Sequence, residues 1–365
     1  MIYLFMFALT CVTFGLGTKS HPTNNFLIFV SVLLLALLAG FRDFTIGTDI
    51  QLYGIYVFEN VKNYNSIIDL VFNNTVNIEL GYALVAYISS FLSPNPHFFF
   101  FLVGLINYSL IALAICKYNG SISPTMSWFL FLCLYFSDTF NIMRQTISLS
   151  IFLIGFDYLT NKDYKKVFFC AGFAILFHTT AIIGIIIYLI YYFLNKSSSN
   201  ISNITFVFIS IAFVITLILP YIIPIMINIG FLPEIYNRYV GGGGLKLSLN
   251  SVIIRVIPLF IFLIFKNNLK KQNDYYFLLL MLILDIFVCN LSTVNATFER
   301  ISLWFGYFRI FAYSKIVSQD ITKRIQNRII LKIFLIIYGI TIFYYQVIIM
   351  GGNQIFPYAS EILGI

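Results

Sequence analysis

Long apolar segments separated by short polar ones recur along almost the whole chain. Many approach the roughly 20 residues that a helix needs to cross the hydrocarbon core of a bilayer. The segments are continuous and lack the in-out alternation of a transmembrane barrel, so the pattern predicts an all-α, polytopic integral membrane protein. We expect roughly 10–12 transmembrane helices, among them re-entrant or interfacial ones. The candidate spans are 2–17, 26–41, 78–93, 98–116, 126–140, 144–160, 167–194, 204–229, 251–265, 275–291, 301–316 and 330–349.

The composition agrees with this class. Apolar residues make up 60% of the chain and charged residues only 10%, whereas soluble domains carry about a quarter charged residues. The net charge of +8 raises the question of nucleic acid, but the basic residues are scattered between apolar segments. Anchoring and orientation in the membrane explain them better. Membrane lipid is therefore the expected surrounding, and no nucleic-acid partner is expected.

The chain is expected to form a single transmembrane domain over 1–365 with two polar stretches outside the membrane core. One is an extracytoplasmic segment at 42–77. The other is a loop at 231–250, which contains a run of four glycines. That run lacks the Lys and Ser/Thr of a nucleotide-binding loop, so we interpret it as a flexible hinge.

The distribution of charge predicts the orientation. The stretch 42–77 is acidic, while the loops 162–166, 266–271 and 323–328 are basic and are expected on the cytoplasmic side. Four candidate spans separate 42–77 from 162–166, and four crossings would place both on one side. One candidate must therefore not cross. We expect this to be 78–93, as a re-entrant or interfacial helix.

Ionisable groups at membrane depth cost about 2.5 to 3.5 kcal/mol each on insertion scales, so each is a functional candidate. Together with neighbouring polar groups, the candidates are Arg42, Asp43, Asp49, Glu79, Asp138, Arg144, Gln145, His178, Arg255, Asp285, Glu299, Arg300 and Arg309. Guanidinium groups make bidentate contacts with a diphosphate, and a carboxylate or histidine can accept a proton from an attacking hydroxyl. The set therefore fits transfer from a lipid diphosphate carrier.

Other chemistry leaves no signature in the sequence. No His, Cys and Asp cluster has metal-ligand spacing, and neither a Gly-x-Ser-x-Gly elbow nor a nucleotide-binding glycine loop is present. No metal and no cofactor are expected.

Several candidates have a plainer interpretation. Arg255 and Arg309 can be anchors that reach the headgroups, and Asp285 is interpreted as a structural hydrogen-bond partner. His178 can be a core histidine that bonds a neighbouring helix. Arg144 and Arg300 are stronger candidates because each lies in a patch of polar and aromatic residues.

Five motifs in order resemble one known family. The segment Arg42-Asp43-Phe44-Thr45-Ile46-Gly47-Thr48-Asp49, followed by Tyr53 and Tyr56-Val57-Phe58, resembles the Arg…Gly-Thr-Asp…Tyr signature of the EpsG-like exopolysaccharide polymerases, relatives of the Wzy O-antigen polymerases. Later similarities are Glu79-Leu80-Gly81-Tyr82, Ile142-Met143-Arg144-Gln145, Phe177-His178-Thr179-Thr180 and Pro357-Tyr358. Leu80 replaces a proline common in the family, and Thr146 replaces a small residue.

The resemblance implies a multi-pass glycosyltransferase of the bacterial inner membrane that works at the periplasmic face. It would polymerise undecaprenyl-diphosphate-linked repeat units into O-antigen, capsule or exopolysaccharide, with a Wzz-like chain-length regulator as partner. The expected catalytic residues are Asp49 and His178. The expected substrate-binding residues are Arg42, Asp43, Tyr53, Glu79, Tyr82, Arg144, Gln145, Glu299, Arg300 and Tyr358.

The sequence leaves two questions open. The same residues could serve a flippase or transporter of the lipid-linked sugar, or a membrane acyltransferase with His178 as base. The base of a polymerase could be Asp49 or His178. Gly47 permits a tight turn that would present Asp49 at the membrane surface, which favours Asp49. The pKa of a free imidazole is better suited to accepting a proton, which favours His178.

Overall fold

The computed structural model describes residues 2–19, 24–73, 76, 78–118, 120–196, 201–230, 249–293 and 297–365. In this part of the chain 79% of residues are helical and none is in a strand, which confirms the all-α class. Five helices are long and apolar enough to cross a membrane, and five shorter apolar helices accompany them. The glycine run and the rest of the polar loop 231–250, apart from its last two residues, lie outside the described residues.

The helices differ in several places from the candidate spans. In chain order they are α1 (Ile2–Lys19), α2 (Asn25–Gly40), α3 (Tyr56–Val61), α4 (Ile67–Phe72), α5 (Leu80–Leu92), α6 (Pro96–Lys117), α7 (Pro124–Tyr135), α8 (Met143–Thr160), α9 (Tyr164–Phe177), α10 (Ala181–Lys196), α11 (Ile201–Asn228), α12 (Leu249–Ile264), α13 (Lys266–Leu269), α14 (Tyr275–Asn290), α15 (Thr297–Gly306), α16 (Arg309–Ile316) and α17 (Ile325–Phe343). Short π-helices cover Ile50–Ile55 and Tyr344–Ile349, and 3₁₀ turns cover Ser137–Phe140, Leu291–Thr293 and Gly352–Gln354.

Two candidate spans are broken. The apolar run 167–194 consists of α9 and α10, which are separated at His178. The run 301–316 falls within α15 and α16, which are separated at Tyr307 and Phe308. The run 204–229, by contrast, lies in the single helix α11.

Contacts divide the chain into two compact units. The first unit contains 1–119, 123–185 and 330–365, and the second contains 120–122 and 186–329. That the chain forms one transmembrane domain over its whole length stays a prediction.

The helices of the first unit share a common end, which we call the polar end. α6 begins there, since the His97 ring nitrogen Nδ1 lies 2.8 Å from the carbonyl oxygen of Gly40 at the end of α2. α8 also begins there, because the sulfur of Met143 accepts a hydrogen bond from Arg42 at 3.5 Å. The residues after α17 reach the same end, where the backbone N–H of Gly47 donates to the carbonyl of Gln354 at 3.2 Å.

The opposite end of the first unit is basic. Lys117 at the end of α6 donates to the hydroxyl of Tyr158 at the end of α8, at 2.8 Å. Lys166 at the start of α9 lies 5.1 Å from the centre of the same ring. The loop 162–166 therefore lies at this basic end, one helix length from Met143.

α5 has both of its ends at the polar end. Glu79, just before its first residue, pairs with Arg144 at the start of α8. Lys62, in the polar segment, donates to the carbonyl of Pro94, two residues after the helix ends and two before α6 begins. These contacts support the expectation that 78–93 does not cross.

Candidate functional site

The segment 42–49 forms a tight turn after α2. The Asp43 carboxylate accepts hydrogen bonds from the Thr45 backbone N–H and hydroxyl, both at 2.8 Å. These bonds hold the pKa of Asp43 below its usual range. Gly47 has φ of +105°, and a Cβ atom there would lie 2.7 Å from Oδ1 of Asn141. The turn expected at Gly47 is present, and a side chain at this position would disrupt it.

Residues 353–359, which we call the C-terminal support, hydrogen-bond to this turn and to the helices beside it. The backbone N–H of Asp43 donates to the carbonyl of Ala359 at 2.9 Å. The hydroxyl of Tyr358 donates to the carbonyl of Leu38 at 3.0 Å, and the hydroxyl of Tyr3 donates to the carbonyl of Ile355 at 2.6 Å. Tyr358 was expected to bind substrate, but its described hydrogen bond goes to the backbone of α2. No pattern in the sequence indicates this support, and substrate binding by Tyr358 stays a prediction.

Two asparagines connect Asp49 to this support, and sequence reasoning missed both. Asn141 accepts from the Asp49 N–H at 3.5 Å and donates to the carbonyl of Asn353 at 2.8 Å. Asn353 in turn donates to the Asp138 carboxylate at 2.8 Å. The Asp49 side chain makes no capping hydrogen bond to the π-helix that follows it. The backbone of Asp49 is therefore fixed by its neighbours, while its carboxylate does not cap the helix.

Arg42 is almost completely buried in an aromatic cage. Its guanidinium carbon lies 4.2 Å from the ring centre of Phe140 and 5.0 Å from that of Phe100, and the side chain is 1% exposed. Among the described residues, none hydrogen-bonds to Nε or Nη1. Burial lowers the pKa of Arg42 to about 10. Cation–π contacts with the two rings stabilise the charge of Arg42. Because the side chain is buried, the N–H donors of its guanidinium are not presented at the protein surface.

Arg144, by contrast, is partly exposed and has a carboxylate partner. It forms a salt bridge with Glu79, and its guanidinium carbon lies 4.2 Å above the ring of Tyr53. The other oxygen of Glu79 accepts the backbone N–H of Thr179 at 3.3 Å. The side chains of Arg144 and Glu79 are 17% and 11% exposed. Three motifs that are far apart in sequence therefore meet at Glu79, and the charged pair reaches the surface.

Tyr82 and Gly81 support this cluster from inside. The hydroxyl of Tyr82, which is fully buried, donates to the carbonyl of Tyr53 at 2.9 Å. A Cβ atom on Gly81 would lie 2.8 Å from the carbonyl oxygen of Leu176 at the end of α9. The glycine thus allows α5 and α9 to approach so closely that Glu79 reaches Thr179. Tyr82 positions Tyr53 and is not itself exposed.

His178 lies in the break between α9 and α10 and is half-buried, not in the middle of one helix. Its Nδ1 accepts the backbone N–H of Thr180 at 3.1 Å. Because a backbone N–H can only donate, Nδ1 holds a lone pair, and the neutral ring carries its proton on Nε2. In this arrangement Nε2 is a hydrogen-bond donor, which makes His178 less suited to act as a base.

Three further candidates remain. Gln145 is buried on α8. Glu299 and Arg300 are exposed on α15 in the second unit. Their roles in substrate binding stay predictions.

A buried ionic network in the second unit accounts for three other residues. Asp285 accepts from Nε of Arg255 at 3.1 Å and lies 3.0 Å from Nε of Arg309. All three side chains are buried. Both arginines therefore pair inside the protein, and Asp285 is the structural hydrogen-bond partner expected from the sequence. In the described part of the chain, no group of three His, Cys, Asp or Glu side chains could hold a metal ion.

The chain matches the model of a known protein family. The model of the EpsG family matches residues 25–360. The match includes the turn at 42–49, the cluster around Glu79, the break at His178 and the C-terminal support. No curated protein and no solved structure matches the chain.

Proposed function

The chain belongs to the EpsG family, and from that premise we propose that it polymerises undecaprenyl-diphosphate-linked repeat units at the periplasmic face of the bacterial inner membrane. The resemblance seen in the sequence is confirmed at the level of the family. EpsG proteins are polymerase-like glycosyltransferases of polysaccharide synthesis. The lipid diphosphate donor, the bacterial inner membrane and its periplasmic face belong to the proposal.

The observation that carries the proposal is the partly exposed Arg144–Glu79 pair at the polar end of the first unit. A guanidinium in this position can exchange its single carboxylate contact for a diphosphate, whose oxygens can accept two parallel hydrogen bonds from it. The Tyr53 ring beneath it keeps the guanidinium plane in place before the ligand arrives. Arg144 is therefore the proposed ligand of the donor diphosphate.

The proposed reaction is a displacement at the anomeric carbon of the lipid-linked glycan. A sugar hydroxyl of the incoming repeat unit attacks this carbon and loses its proton to the Asp49 carboxylate. The bond from the anomeric carbon to the diphosphate oxygen breaks, and undecaprenyl diphosphate leaves with the bonding electrons. Arg144 stabilises the negative charge that develops on the leaving group, and the Nε2–H of His178 donates to it.

Arg42 has a different role in this proposal from the one expected for it. Its burial in the cage of Phe100 and Phe140 supports a positioning role, in which it fixes the start of the turn that presents Asp49. The other proposed partners are the acceptor repeat unit and a Wzz-like chain-length regulator.

The test uses purified protein in liposomes with one lipid-linked repeat unit. A ladder of products on a gel is the expected result. Movement of the lipid between leaflets without any ladder would contradict the proposal and would indicate a flippase. Transfer of an acyl group to the glycan would instead indicate an acyltransferase.

A further inference from the structure

A polar groove lies in the second unit beside the start of α17. Its walls are the residues that follow α12 and the segment 320–327, and its volume is about 440 Å³. The side-chain amide of Asn268 donates to the carbonyl of Ile321 at 2.8 Å and so joins the two walls. The hydroxyl of Thr322 donates to the carbonyl of Ile316 at 2.6 Å and fixes one wall to the end of α16. The groove is therefore a defined cavity and has the size of a small-ligand site.

The charge of the groove is positive. Lys271, Lys323 and Arg324 line it together with a single carboxylate, Asp320. Among the described residues, none of these three cations forms a salt bridge. Lys315, close by in sequence, does not add to the excess because it pairs with Asp274 at 2.7 Å. Three cations against one carboxylate favour an anion that carries a phosphate group.

Exposed apolar residues are sequence neighbours of two residues that line the groove. Ile264, adjacent to the lining residue Phe265, is 63% exposed, and Ile325, adjacent to Arg324, is 61% exposed. Ile325 is also the first residue of a helix long and apolar enough to cross the membrane. Arg324 thus lies at the level where a transmembrane helix meets the lipid headgroups. A free phosphate would use only the cations, whereas a lipid would use the isoleucines as well.

We propose that this groove binds the phosphate headgroup of an anionic phospholipid, with the acyl chains against the exposed isoleucines. The cations supply the attraction for the phosphate, and Gln272 and Asn327, which also line the groove, can hydrogen-bond the polar part of the headgroup. The site is separate from the catalytic proposal, because none of its residues is assigned to donor or acceptor binding.

The test compares two triple variants of the full chain by native mass spectrometry in detergent, titrated with phosphatidylglycerol or phosphatidylcholine. The groove variant combines Lys271→Ala, Lys323→Ala and Arg324→Ala. The control variant combines Lys266→Ala, Lys270→Ala and Arg328→Ala, which removes the same charge nearby from residues that do not line the groove. Thermal unfolding of each variant confirms that it is folded.

The wild type is expected to prefer phosphatidylglycerol. The groove variant should bind it on the order of a hundredfold more weakly, because each basic residue near an anionic surface contributes about a factor of five. The control should lose much less. Equal losses in the two variants would overturn the proposal, since they would reflect general charge. The proposal would also be overturned if glycerol phosphate bound as tightly as phosphatidylglycerol, because the ligand would then be a soluble phosphate compound.

Discussion

Arg42 and Arg144 have the same guanidinium group in two contrasting environments. Arg42 is enclosed by aromatic rings and donates a hydrogen bond to the thioether of Met143. Arg144 stacks on one ring and pairs with a partly exposed carboxylate. A buried cation without a carboxylate contributes to the structure around it, while a paired cation at the surface can change its partner. Substitution of Arg42 should therefore mainly reduce stability, and substitution of Arg144 should mainly reduce activity.

The first prediction concerns this separation. Arg144→Ala should reduce polymer formation by about 10²- to 10³-fold, and Arg144→Lys should also be impaired because it keeps the charge but loses the fork. Neither should change the midpoint of thermal unfolding much. Arg42→Ala should lower that midpoint, at a cost of roughly 2 kcal/mol or more, since it empties the aromatic cage. Wild-type turnover in both Arg144 variants would show that Arg144 is only an anchor.

The second prediction concerns the proton acceptor. Asp49→Asn keeps the size of the side chain but removes the carboxylate, so polymer formation should be lost. Because the substitution neither opens a cavity nor changes the backbone, the thermal midpoint should stay close to that of the wild type. If Asp49→Asn forms polymer at a near wild-type rate, Asp49 is not the proton acceptor and serves only in the structure of the turn.

Variants of His178 complete this test. If His178 acts through its Nε2–H, His178→Gln should retain part of the activity, because the glutamine amide can also donate. His178→Ala should lose more. If His178 were instead the base, both variants would be equally inactive while Asp49→Asn remained active. Nitrogen chemical shifts of the labelled imidazole would report independently whether Nδ1 or Nε2 carries the proton.

At the scale of elements, the sequence predicts helices well and their interruptions poorly. The run 167–194 is apolar except for a few positions, so its hydrophobicity does not show that it consists of two helices. The break depends on a contact: His178 is extended, and the next residue donates to Glu79, which is about a hundred positions away in sequence. The C-terminal support was missed for the same reason, since its hydrogen bonds join residues that are far apart in sequence, and many of them end on backbone carbonyl groups.

The third prediction tests the close approach of α5 and α9. Gly81→Ala places a methyl group against the carbonyl oxygen of Leu176, so the two helices must separate and Glu79 must move away from Thr179. Polymer formation should fall strongly. Gly172→Ala on α9 is the matched control, because a Cβ atom there meets nothing within 4 Å. It should leave activity unchanged and raise stability by up to about 1 kcal/mol. Equal activity in the two variants would contradict the role assigned to Gly81.

At the scale of the whole molecule, charge asymmetry indicated an orientation that the count of spans did not allow. The contacts of the first unit remove this conflict. Since both ends of α5 lie at the polar end, only α6, α7 and α8 separate the segment 42–77 from the loop 162–166. Three crossings place the two on opposite faces. The sequence could suggest that 78–93 was the exception, but only the contacts of Glu79 and Pro94 give a physical reason.

The last prediction follows from this count. α8 begins beside Arg42 and ends beside the basic loop, and its 18 residues extend about 27 Å, close to the thickness of the hydrocarbon core. We expect 42–77 to face the periplasm and the loops 162–166 and 266–271 to face the cytoplasm. In a cysteine-free background, single cysteines at the exposed positions Asn63 and Lys165 report the two sides. An impermeant thiol reagent should label spheroplasts at Asn63 and should label Lys165 only after lysis. Labelling of Lys165 alone in intact spheroplasts would invert the orientation and place Arg144, Glu79 and Asp49 on the cytoplasmic side, where the proposed periplasmic polymerisation could not occur.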